Sequence, residues 1–257
     1  MPMPAMTEAL LSATGLTKRF GGLVAVDQIA LALTAGAIHA VIGPNGAGKS
    51  TLANLLSGEI KPTTGTIELR GEDITGWPAD RIARRGLART FQHTHIFASF
   101  TAFENCRLAA QAHAAGLPSC FRSADSYREW NATANDALGS AGLASRAAVP
   151  AAQLSHGERR ALDIAMALAT KPLVLLLDEP LAGMGPEEAA NIVSLLGRLA
   201  ADHAILLIEH DMDAVFALAH RLTVMANGRV LASGTPEAIR ANADVQQVYL
   251  GTGVQST

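Results

Sequence analysis

A nine-residue loop carries the strongest chemical signal in this 257-residue sequence. It reads Gly43-Pro44-Asn45-Gly46-Ala47-Gly48-Lys49-Ser50-Thr51 and matches the phosphate-binding pattern G-x-x-x-x-G-K-[ST]. Glycines let such a loop turn tightly and direct its backbone N–H groups toward phosphate oxygens. Lys49 adds a positive charge for the β- and γ-phosphates, and Ser50 adds a hydroxyl for Mg²⁺. The loop therefore predicts a nucleoside triphosphate as the ligand, and we assign all nine residues to its binding.

A pair of carboxylates follows an apolar stretch later in the sequence. Residues 173–177 are Leu-Val-Leu-Leu-Leu, and Asp178 and Glu179 come directly after them. A strand this apolar is buried on both faces, so its end lies at the carboxyl edge of the sheet, where open α/β sheets bind ligands. Asp178 can bind Mg²⁺ there, directly or through water, and Glu179 can accept a proton from an attacking water. Together with the loop, the pair indicates hydrolysis of the triphosphate.

A third segment supplies a second set of phosphate-binding groups. It reads Leu154-Ser155-His156-Gly157-Glu158 and precedes an expected helix over 158–169. Ser155 offers a hydroxyl and Gly157 an unobstructed backbone N–H at the helix N-terminus, where anions are favoured. Taken alone, the segment would be interpreted as an ordinary helix N-cap. Its position 23 residues before Asp178, between the loop and the carboxylates, favours a functional role.

The elements around these segments alternate between strands and helices. Residues 37–42 predict a buried strand that enters the loop, and residues 49–57 predict the helix that leaves it. Residues 9–33 alternate as an antiparallel sheet would, and Thr101 and Glu104 form the capping-box pattern of a helix start. We expect further strands at 66–70, 87–91, 173–177, 204–208, 222–226 and 229–233, the last two joined by an Asn227-Gly228 turn, and helices at 78–85, 186–201 and 211–219. Such alternation predicts an α/β fold with a mostly parallel sheet and, from about residue 101 to 169, a helical insertion.

Composition and charge argue against several other classes of protein. The net charge is −3 at pH 7, so no general positive field attracts nucleic acid or anionic lipid. Cys106 and Cys120 do not make a disulfide framework, and we expect free thiols in a reducing cytosol. No apolar stretch approaches the ~18–20 residues of a membrane helix, and the first residues lack the pattern of a signal peptide. One basic run is interpreted as a solvated helix face rather than a nucleic-acid site: Arg81, Arg84, Arg85 and Arg89.

In their order along the chain, the loop, the 154–158 segment and the carboxylate strand resemble the ATP-binding cassette (ABC) family. The resemblance extends from about residue 10 to 251. It implies the α/β fold of a P-loop NTPase, with a mostly parallel core sheet, an N-terminal antiparallel β-subdomain and an inserted α-helical subdomain. The boundaries that it implies are a single nucleotide-binding domain over 8–257, an ATP-binding core at 8–92 and 170–257, and a helical subdomain at 93–169. The implied ligands are ATP and Mg²⁺.

The resemblance also implies roles for residues that no local pattern singles out. Gln92 matches the family's glutamine that contacts Mg²⁺ and the attacking water. His210 matches the histidine that contacts the γ-phosphate. Phe20 matches the aromatic residue that stacks on adenine, with Val26 packed beside it. With Glu179 as the base, Gln92 and His210 complete the expected catalytic set.

ATPase subunits of this family pair head to tail, which implies that Ser155 and Gly157 of one subunit close over the ATP of the other. Two departures from the family pattern affect this pairing. His156 and Glu158 replace the first glycine and the glutamine of Leu-Ser-Gly-Gly-Gln, but the phosphate-facing members are kept and we expect activity to survive. Gly185 stands where the family commonly has an aspartate, so the side chain of a further contact across the dimer is missing.

Several runs are most similar to one subfamily, the ATPase subunits of branched-chain amino-acid importers. They are Arg89-Thr90-Phe91-Gln92-His93, residues 208–212, and Val248-Tyr249-Leu250-Gly251. The similarity implies two transmembrane permease subunits, a second ABC ATPase subunit in a hetero- or homodimer and, indirectly, an extracytoplasmic solute-binding protein as partners, and no nucleic acid. It implies a peripheral position on the cytoplasmic face of the inner or plasma membrane.

Two alternatives remain open at the level of sequence. One is the ATPase of a lipopolysaccharide-type exporter, which shares Gly157-Glu158-Arg159-Arg160 and a terminal Tyr-Leu-Gly. The other is a soluble ABC ATPase that acts on DNA or ribosomes. The Arg-Thr-Phe-Gln-His run favours the importer over the exporter. A lone cassette without heptads speaks against the soluble class.

Overall fold

The computed structural model describes residues 9–92, 95–113 and 126–250, and the side chains up to residue 247. Six strands form the central sheet: β3 (Ala37–Ile42), β6 (Leu87–Thr90), β7 (Val174–Asp178), β8 (Ala204–Ile208), β9 (Arg221–Ala226) and β10 (Arg229–Gly234). Their order across the sheet is β10-β9-β3-β8-β7-β6. All neighbours are parallel except β10, which pairs antiparallel with β9 through the Asn227-Gly228 turn. The predicted α/β fold with a mostly parallel sheet is confirmed.

A second, antiparallel sheet lies beside the central one. Its strands are β1 (Ala9–Phe20), β2 (Leu23–Thr34), β4 (Thr64–Leu69) and β5 (Glu72–Asp73), in the order β2-β1-β4-β5. The register pairs Leu16 with Ile29 and Phe20 with Leu23. Strand β1 thus ends in a tight hairpin that holds Phe20 at the sheet's end.

Nine α-helices lie in the described part of the chain. They are α1 (Lys49–Leu56), α2 (Ala79–Arg84), α3 (Ala102–His113), α4 (Arg128–Ser140), α5 (His156–Ala169), α6 (Pro186–Leu199), α7 (Met212–Leu218), α8 (Pro236–Arg240) and α9 (Ala243–Leu250). Helix α3 begins with the predicted capping box, because the Glu104 N–H donates to Thr101 Oγ1 and the Thr101 N–H donates to Glu104 Oε2. Within the described residues, no helix is long and apolar enough to cross a bilayer.

Strands β7 and β8 are buried on both faces, which explains their continuous apolar sequences. In β7, for example, Leu175 and Leu177 pack into one hydrophobic cluster, whereas Val174 and Leu176 pack into another. The first cluster also contains the buried faces of α3, α4 and α5, so the helical segment shares a core with one face of the sheet. Cys106 of α3 is a free thiol in this cluster, where burial raises its pKa to about 12. Cys120 lies outside the described residues.

Candidate functional site

The phosphate-binding loop follows β3 at the carboxyl edge of the central sheet and leads into α1. At two of its glycine positions, neighbouring backbone atoms leave no room for a side chain. A Cβ at Gly43 would lie 2.2 Å from the carbonyl oxygen of Met225, and one at Gly48 would lie 2.4 Å from that of Ala25. Gly48 also has a φ of +101°, which L side chains rarely adopt. The loop is therefore pressed between β9 and β2, and its shape is fixed by backbone contacts.

Lys49 lies inside this loop rather than in solvent. Its Nζ donates to the carbonyl oxygens of Gly43, at 2.6 Å, and Pro44, at 3.1 Å. Burial lowers the pKa of Lys49 from its ordinary value, and the carboxylates of Glu179 and Asp178 partly offset that effect. The ammonium group is thus held at the centre of the loop, with both predicted carboxylates close enough to act on it.

An open cavity of about 530 Å³ lies over the loop. Phe20, whose side chain is half exposed, borders it, together with Glu179 and the loop residues from Asn45 to Thr51. The Lys18 ammonium lies 5.1 Å from the centre of the Phe20 ring. Phe20 is therefore an exposed wall of this cavity and is not part of the core.

Val26 does not border the cavity beside Phe20. The structure buries it completely in the hydrophobic cluster beneath. Val24 and Ala25 border the cavity instead. The pairing of β1 with β2 shifts register between Lys18–Val26 and Arg19–Val24, so β2 is irregular at this point and its side chains depart from strict alternation. The adenine contact expected of Val26 would fall to these two neighbours.

Asp178, at the end of β7, is held by an arginine whose role the sequence did not indicate. Arg89 Nη2 lies 3.0 Å from Asp178 Oδ2, and the two side chains are 7% and 11% exposed. Arg89 Nη1 donates to Asn54 Oδ1 and Ser57 Oγ, at the end of α1. The interpretation of Arg89 as part of a solvated helix face is therefore wrong: it lies in β6 and its guanidinium is buried. Arg81, Arg84 and Arg85 do lie on the exposed face of α2 or at its end.

Glu179 has a strained backbone at the point where the strand ends. Its φ is +48°, which is uncommon for a non-glycine residue and costs of order 1–3 kcal/mol. The surrounding structure holds this conformation, since the Glu179 N–H donates to Ile208 O at 2.8 Å and Arg160 Nη2 donates to Glu179 O at 3.2 Å. The Gln92 Nε2 amide donates to Glu179 Oε2 at 2.8 Å. The structure thus brings together the expected base and the expected glutamine.

His210 lies on the other side of Glu179, with its Nδ1 3.9 Å from Glu179 Oε1.

Glu209, a buried carboxylate that the sequence did not single out, holds the backbone of this region. Glu209 has no exposed surface, and it accepts hydrogen bonds from the Leu181 N–H at 2.8 Å and the His210 N–H at 3.0 Å. Burial raises the pKa of Glu209, and these backbone donors oppose the shift. In the sequence, the feature that could have identified Glu209 is its position at the end of β8, a buried strand next to β7.

Arg160 of α5 joins the helical segment to this site. Its buried guanidinium donates to the carbonyl oxygens of Phe91, at 2.9 Å, Gln92, at 3.1 Å, and Glu179. Asp163 Oδ2 lies 3.6 Å from Arg160 Nη1. Burial raises the pKa of the Asp163 carboxyl to about 6, and the positive charge of Arg160 opposes this shift. Helix α5 is therefore tied to the backbone on both sides of the Gln92–Glu179 hydrogen bond.

Ser155 and Gly157, at the start of the same helix, do not reach the cavity over the loop. They border a separate groove of about 320 Å³ between α5 and α6. Ser155 is the N-cap of α5, where its hydroxyl accepts from the Glu158 N–H and the Glu158 carboxylate accepts from the Ser155 N–H. The Gly157 N–H donates to Glu188 Oε1 at 3.0 Å. The fold therefore separates these residues from Lys49 of the same chain, as the expected head-to-tail pairing would require.

The predicted magnesium ligands are hard oxygen donors of the type that this ion prefers. They are the hydroxyl of Ser50, the carboxylate of Asp178 and the side-chain oxygen of Gln92. Asp178 uses Oδ2 for Arg89, and within the described residues its Oδ1 accepts no hydrogen bond, which leaves it available for an ion or for an ion-bound water. Mg²⁺ is usually held by one or two carboxylates plus waters and substrate phosphates, so this small donor set fits it.

The chain is similar to known proteins along almost its whole length. A family model described as "ABC transporter" matches residues 26–182, and one described as "Branched-chain amino acid ATP-binding cassette transporter" matches residues 229–255. The chain is 44% identical to the high-affinity branched-chain amino acid transport ATP-binding protein LivG of Escherichia coli K12, over 96% of this chain and 99% of that protein. It is 41% identical to the corresponding protein BraF of Pseudomonas aeruginosa, with the same coverage.

Solved structures agree with this result. A nucleotide-free ATP-binding cassette from an ABC transporter superposes with a TM-score of 0.84 at 28% identity, covering 94% of this chain and 99% of that one. Another ATP-binding cassette, in its ADP conformation, gives a TM-score of 0.86 at 30% identity, covering 95% and 100%.

Proposed function

Since the chain belongs to the ABC transporter family of ATPases, we propose that it is the ATP-hydrolysing subunit of an importer for branched-chain amino acids. The observation that carries the catalytic half of this proposal is the pair of Glu179 and Gln92, which meet beside the phosphate-binding loop at 2.8 Å. The transport half is supported by whole-length similarity to LivG and BraF and by the match of residues 229–255.

Nucleotide binding uses the loop and the cavity over it. The backbone N–H groups of residues 43–51 surround the phosphates, and Lys49 turns its ammonium from the loop carbonyls to the β- and γ-phosphates. Phe20 stacks on the adenine at the open side of the cavity. Ser50, Asp178 and Gln92 would hold Mg²⁺, and the ion would supply positive charge that neutralises the phosphate oxygens.

Hydrolysis uses the residues at the carboxyl end of β7. Glu179 accepts the proton of the water that attacks the γ-phosphorus, while the bond from that phosphorus to the β–γ bridging oxygen breaks and ADP leaves; the Gln92 amide positions the carboxylate and that water. His210 contacts the γ-phosphate from the loop after β8. The backbone of Glu179 is strained and is held by hydrogen bonds with Ile208 and Arg160. This fixed backbone restricts the orientation of the carboxylate, which limits the reorganisation needed during the reaction.

Two subunits are needed for a complete site. Ser155 and Gly157 border a groove separate from the cavity that contains Lys49, so a second ATPase subunit supplies these groups head to tail. Closure on ATP and opening after hydrolysis drive two membrane permease subunits, which receive solute from an extracytoplasmic binding protein. The chain acts at the cytoplasmic face of the membrane, as a peripheral subunit.

The two alternatives are not favoured. LivG and BraF, the relatives with 44% and 41% identity, carry names of importer subunits, and neither name refers to lipopolysaccharide export, DNA or ribosomes. The basic run that suggested nucleic acid also loses its continuity, because Arg89 is buried against Asp178.

Replacement of LivG by this chain in Escherichia coli K12 tests the proposal. We expect the chain to restore uptake of radiolabelled leucine from sub-micromolar medium. The matched control is Glu179→Gln, which keeps the size and hydrogen bonding of the side chain but removes the base. It should be expressed equally and give no uptake above that of cells without LivG.

Two results would contradict different parts of the proposal. If stably expressed chain hydrolyses ATP but cells take up leucine no faster than the Glu179→Gln control, the importer assignment fails. If purified Glu179→Gln protein hydrolyses ATP at a near-normal rate, the assignment of Glu179 as the base fails.

A further inference from the structure

Glu188 of α6 occupies the phosphate-binding N–H of its own chain. Its Oε1 accepts the Gly157 N–H at 3.0 Å. A Cβ built at Gly157 would lie 3.1 to 3.2 Å from three Glu188 atoms, so the glutamate side chain covers the bare face of this glycine. The carboxylate therefore lies where the proposed function requires the γ-phosphate of the partner's ATP.

The second glutamate at this helix start is engaged elsewhere. Glu158 Oε2 accepts the Ser155 N–H, and its Oε1 pairs with Arg146 Nε at 2.6 Å. The Ser155 backbone and Arg146 hold the pKa of Glu158 below its ordinary value. Glu158 is thus fixed as the capping residue of α5, whereas Glu188 reaches across from another helix and is not needed to complete the capping box.

One N–H group cannot serve two anions at once. An amide donates a single strong hydrogen bond, and a carboxylate beside a phosphate repels it in a partly buried groove. When the second subunit brings ATP to Gly157, the Glu188 carboxylate has to withdraw toward the open groove between α5 and α6. Closure of the two subunits therefore includes the loss of a charge-assisted hydrogen bond within each chain.

We propose that Glu188 is a positioning residue of the ATPase pair: it caps Gly157 in the open state and sets the ATP concentration at which two subunits close. This inference rests on the proposed function, because it needs Gly157 to bind the ATP of a partner. The residue acts by competition for one N–H group, so its removal is expected to ease closure.

The test measures ATP-driven dimerisation in a Glu179→Gln background, where the closed pair is not lost through hydrolysis. Sedimentation velocity over a series of ATP concentrations with Mg²⁺ gives the concentration of half-dimerisation. We expect Glu188→Ala to lower it by about fivefold or more, since a competing charge-assisted hydrogen bond is gone. Glu188→Gln keeps an acceptor but removes the charge, and it should lie between Glu188→Ala and the parent.

Glu187→Ala is the matched control, because Glu187 is an exposed acid in the same turn of α6 and does not border the groove. It should leave the half-dimerisation concentration unchanged. Binding of a fluorescent ADP analogue to the single subunit should be the same in all variants, because Glu188 does not border the cavity over the loop. With Glu179 restored, Glu188→Ala should lower KM for ATP without lowering kcat.

Three outcomes are distinguishable. An unchanged half-dimerisation concentration in Glu188→Ala overturns the competition. A raised concentration also overturns it and would mean that Glu188 supports Gly157 in the closed pair. If the Glu179→Gln parent does not dimerise with ATP at all, the head-to-tail site of the proposed function fails, and not only the role of Glu188.

Discussion

Removal of the Arg89 guanidinium should destabilise the protein far more than removal of any surface arginine. Arg89 is the cation of a buried pair with Asp178, at 3.0 Å, and it also donates to Asn54 Oδ1 at 2.7 Å and Ser57 Oγ at 2.9 Å. In Arg89→Met, the aliphatic stem is kept, but a carboxylate that is 11% exposed loses its counter-charge. Breaking a buried pair from one side costs about 3–5 kcal/mol in free energy of unfolding.

The exposed pair of Arg85 and Glu72 provides the control. Its two side chains are 54% and 42% exposed, and its nitrogen and oxygen atoms are 3.1 Å apart, close to the distance of the buried pair. Solvent-exposed pairs contribute about 0–1 kcal/mol, so Arg85→Met should unfold almost as the wild type does. The distance is therefore matched, whereas burial and the two further hydrogen bonds of Arg89 differ.

Urea unfolding at pH 7, followed by circular dichroism, measures both variants. We expect Arg89→Met to lower the denaturation midpoint strongly with an unchanged slope, and Arg89→Lys, which keeps the charge but not the fork of donors, to lie between. If Arg89→Met costs less than about 1 kcal/mol, or no more than Arg85→Met, burial of the pair does not have the energetic role described here.

Three further predictions concern the loop, the core and the adenine wall. Gly48→Ala should abolish binding of a fluorescent ADP analogue, because its Cβ would lie 2.4 Å from Ala25 O. Gly46→Ala has open space at a φ of +80° and should cost only about 1–2 kcal/mol in binding free energy. Equal losses of affinity in the two variants would contradict the steric argument. Burial lowers the pKa of His39 to about 4, so the unfolded chain binds a proton between pH 6.5 and 4 that the folded chain does not. Stability should therefore fall by about 3 kcal/mol as pH drops through that window, and His39→Gln, measured by urea unfolding at pH 7 and pH 4, should lack this loss. Phe20→Ala should weaken ATP binding about tenfold in equilibrium titrations while leaving thermal stability nearly unchanged, since its ring is half exposed; unchanged affinity would remove Phe20 from the site.

Elements with a local apolar pattern have bounds close to those predicted from the sequence. Strand β8 has the predicted bounds of 204–208, because five consecutive apolar residues between polar ones leave few alternatives. Strand β7 is shifted by one residue, to 174–178, since Asp178 continues the ladder and pairs with Ile208. Its carboxylate tolerates this buried position because Arg89 neutralises it, and that partner lies 89 positions earlier in the chain.

The contacts that could not be predicted are those between distant polar residues. A run of arginines has the same pattern whether or not one member turns inward, so Arg89 was grouped with three exposed residues of α2. Glu209 and Glu188 likewise lie in no sequence pattern that indicates their partners, Leu181 and Gly157, which become visible only when loops and helices are packed together. Val26 differs in kind: the register shift of β2 next to it decides which side chains face the cavity, and neither the apolar pattern nor the family resemblance indicates such an irregularity.

Mixing two inactive variants tests the central claim, a site shared between two chains, most directly. Lys49→Ala removes the loop cation but keeps the start of α5, whereas Gly157→Asp keeps the loop but places a charged side chain against Glu188. Each purified variant alone should hydrolyse almost no ATP. In an equal mixture, about half of randomly formed head-to-tail pairs join one intact loop to one intact helix start, so ATPase activity should return to roughly one quarter of the wild-type rate. A mixture as inactive as its components would contradict the shared site, and substantial activity in Gly157→Asp alone would contradict the part assigned to Gly157.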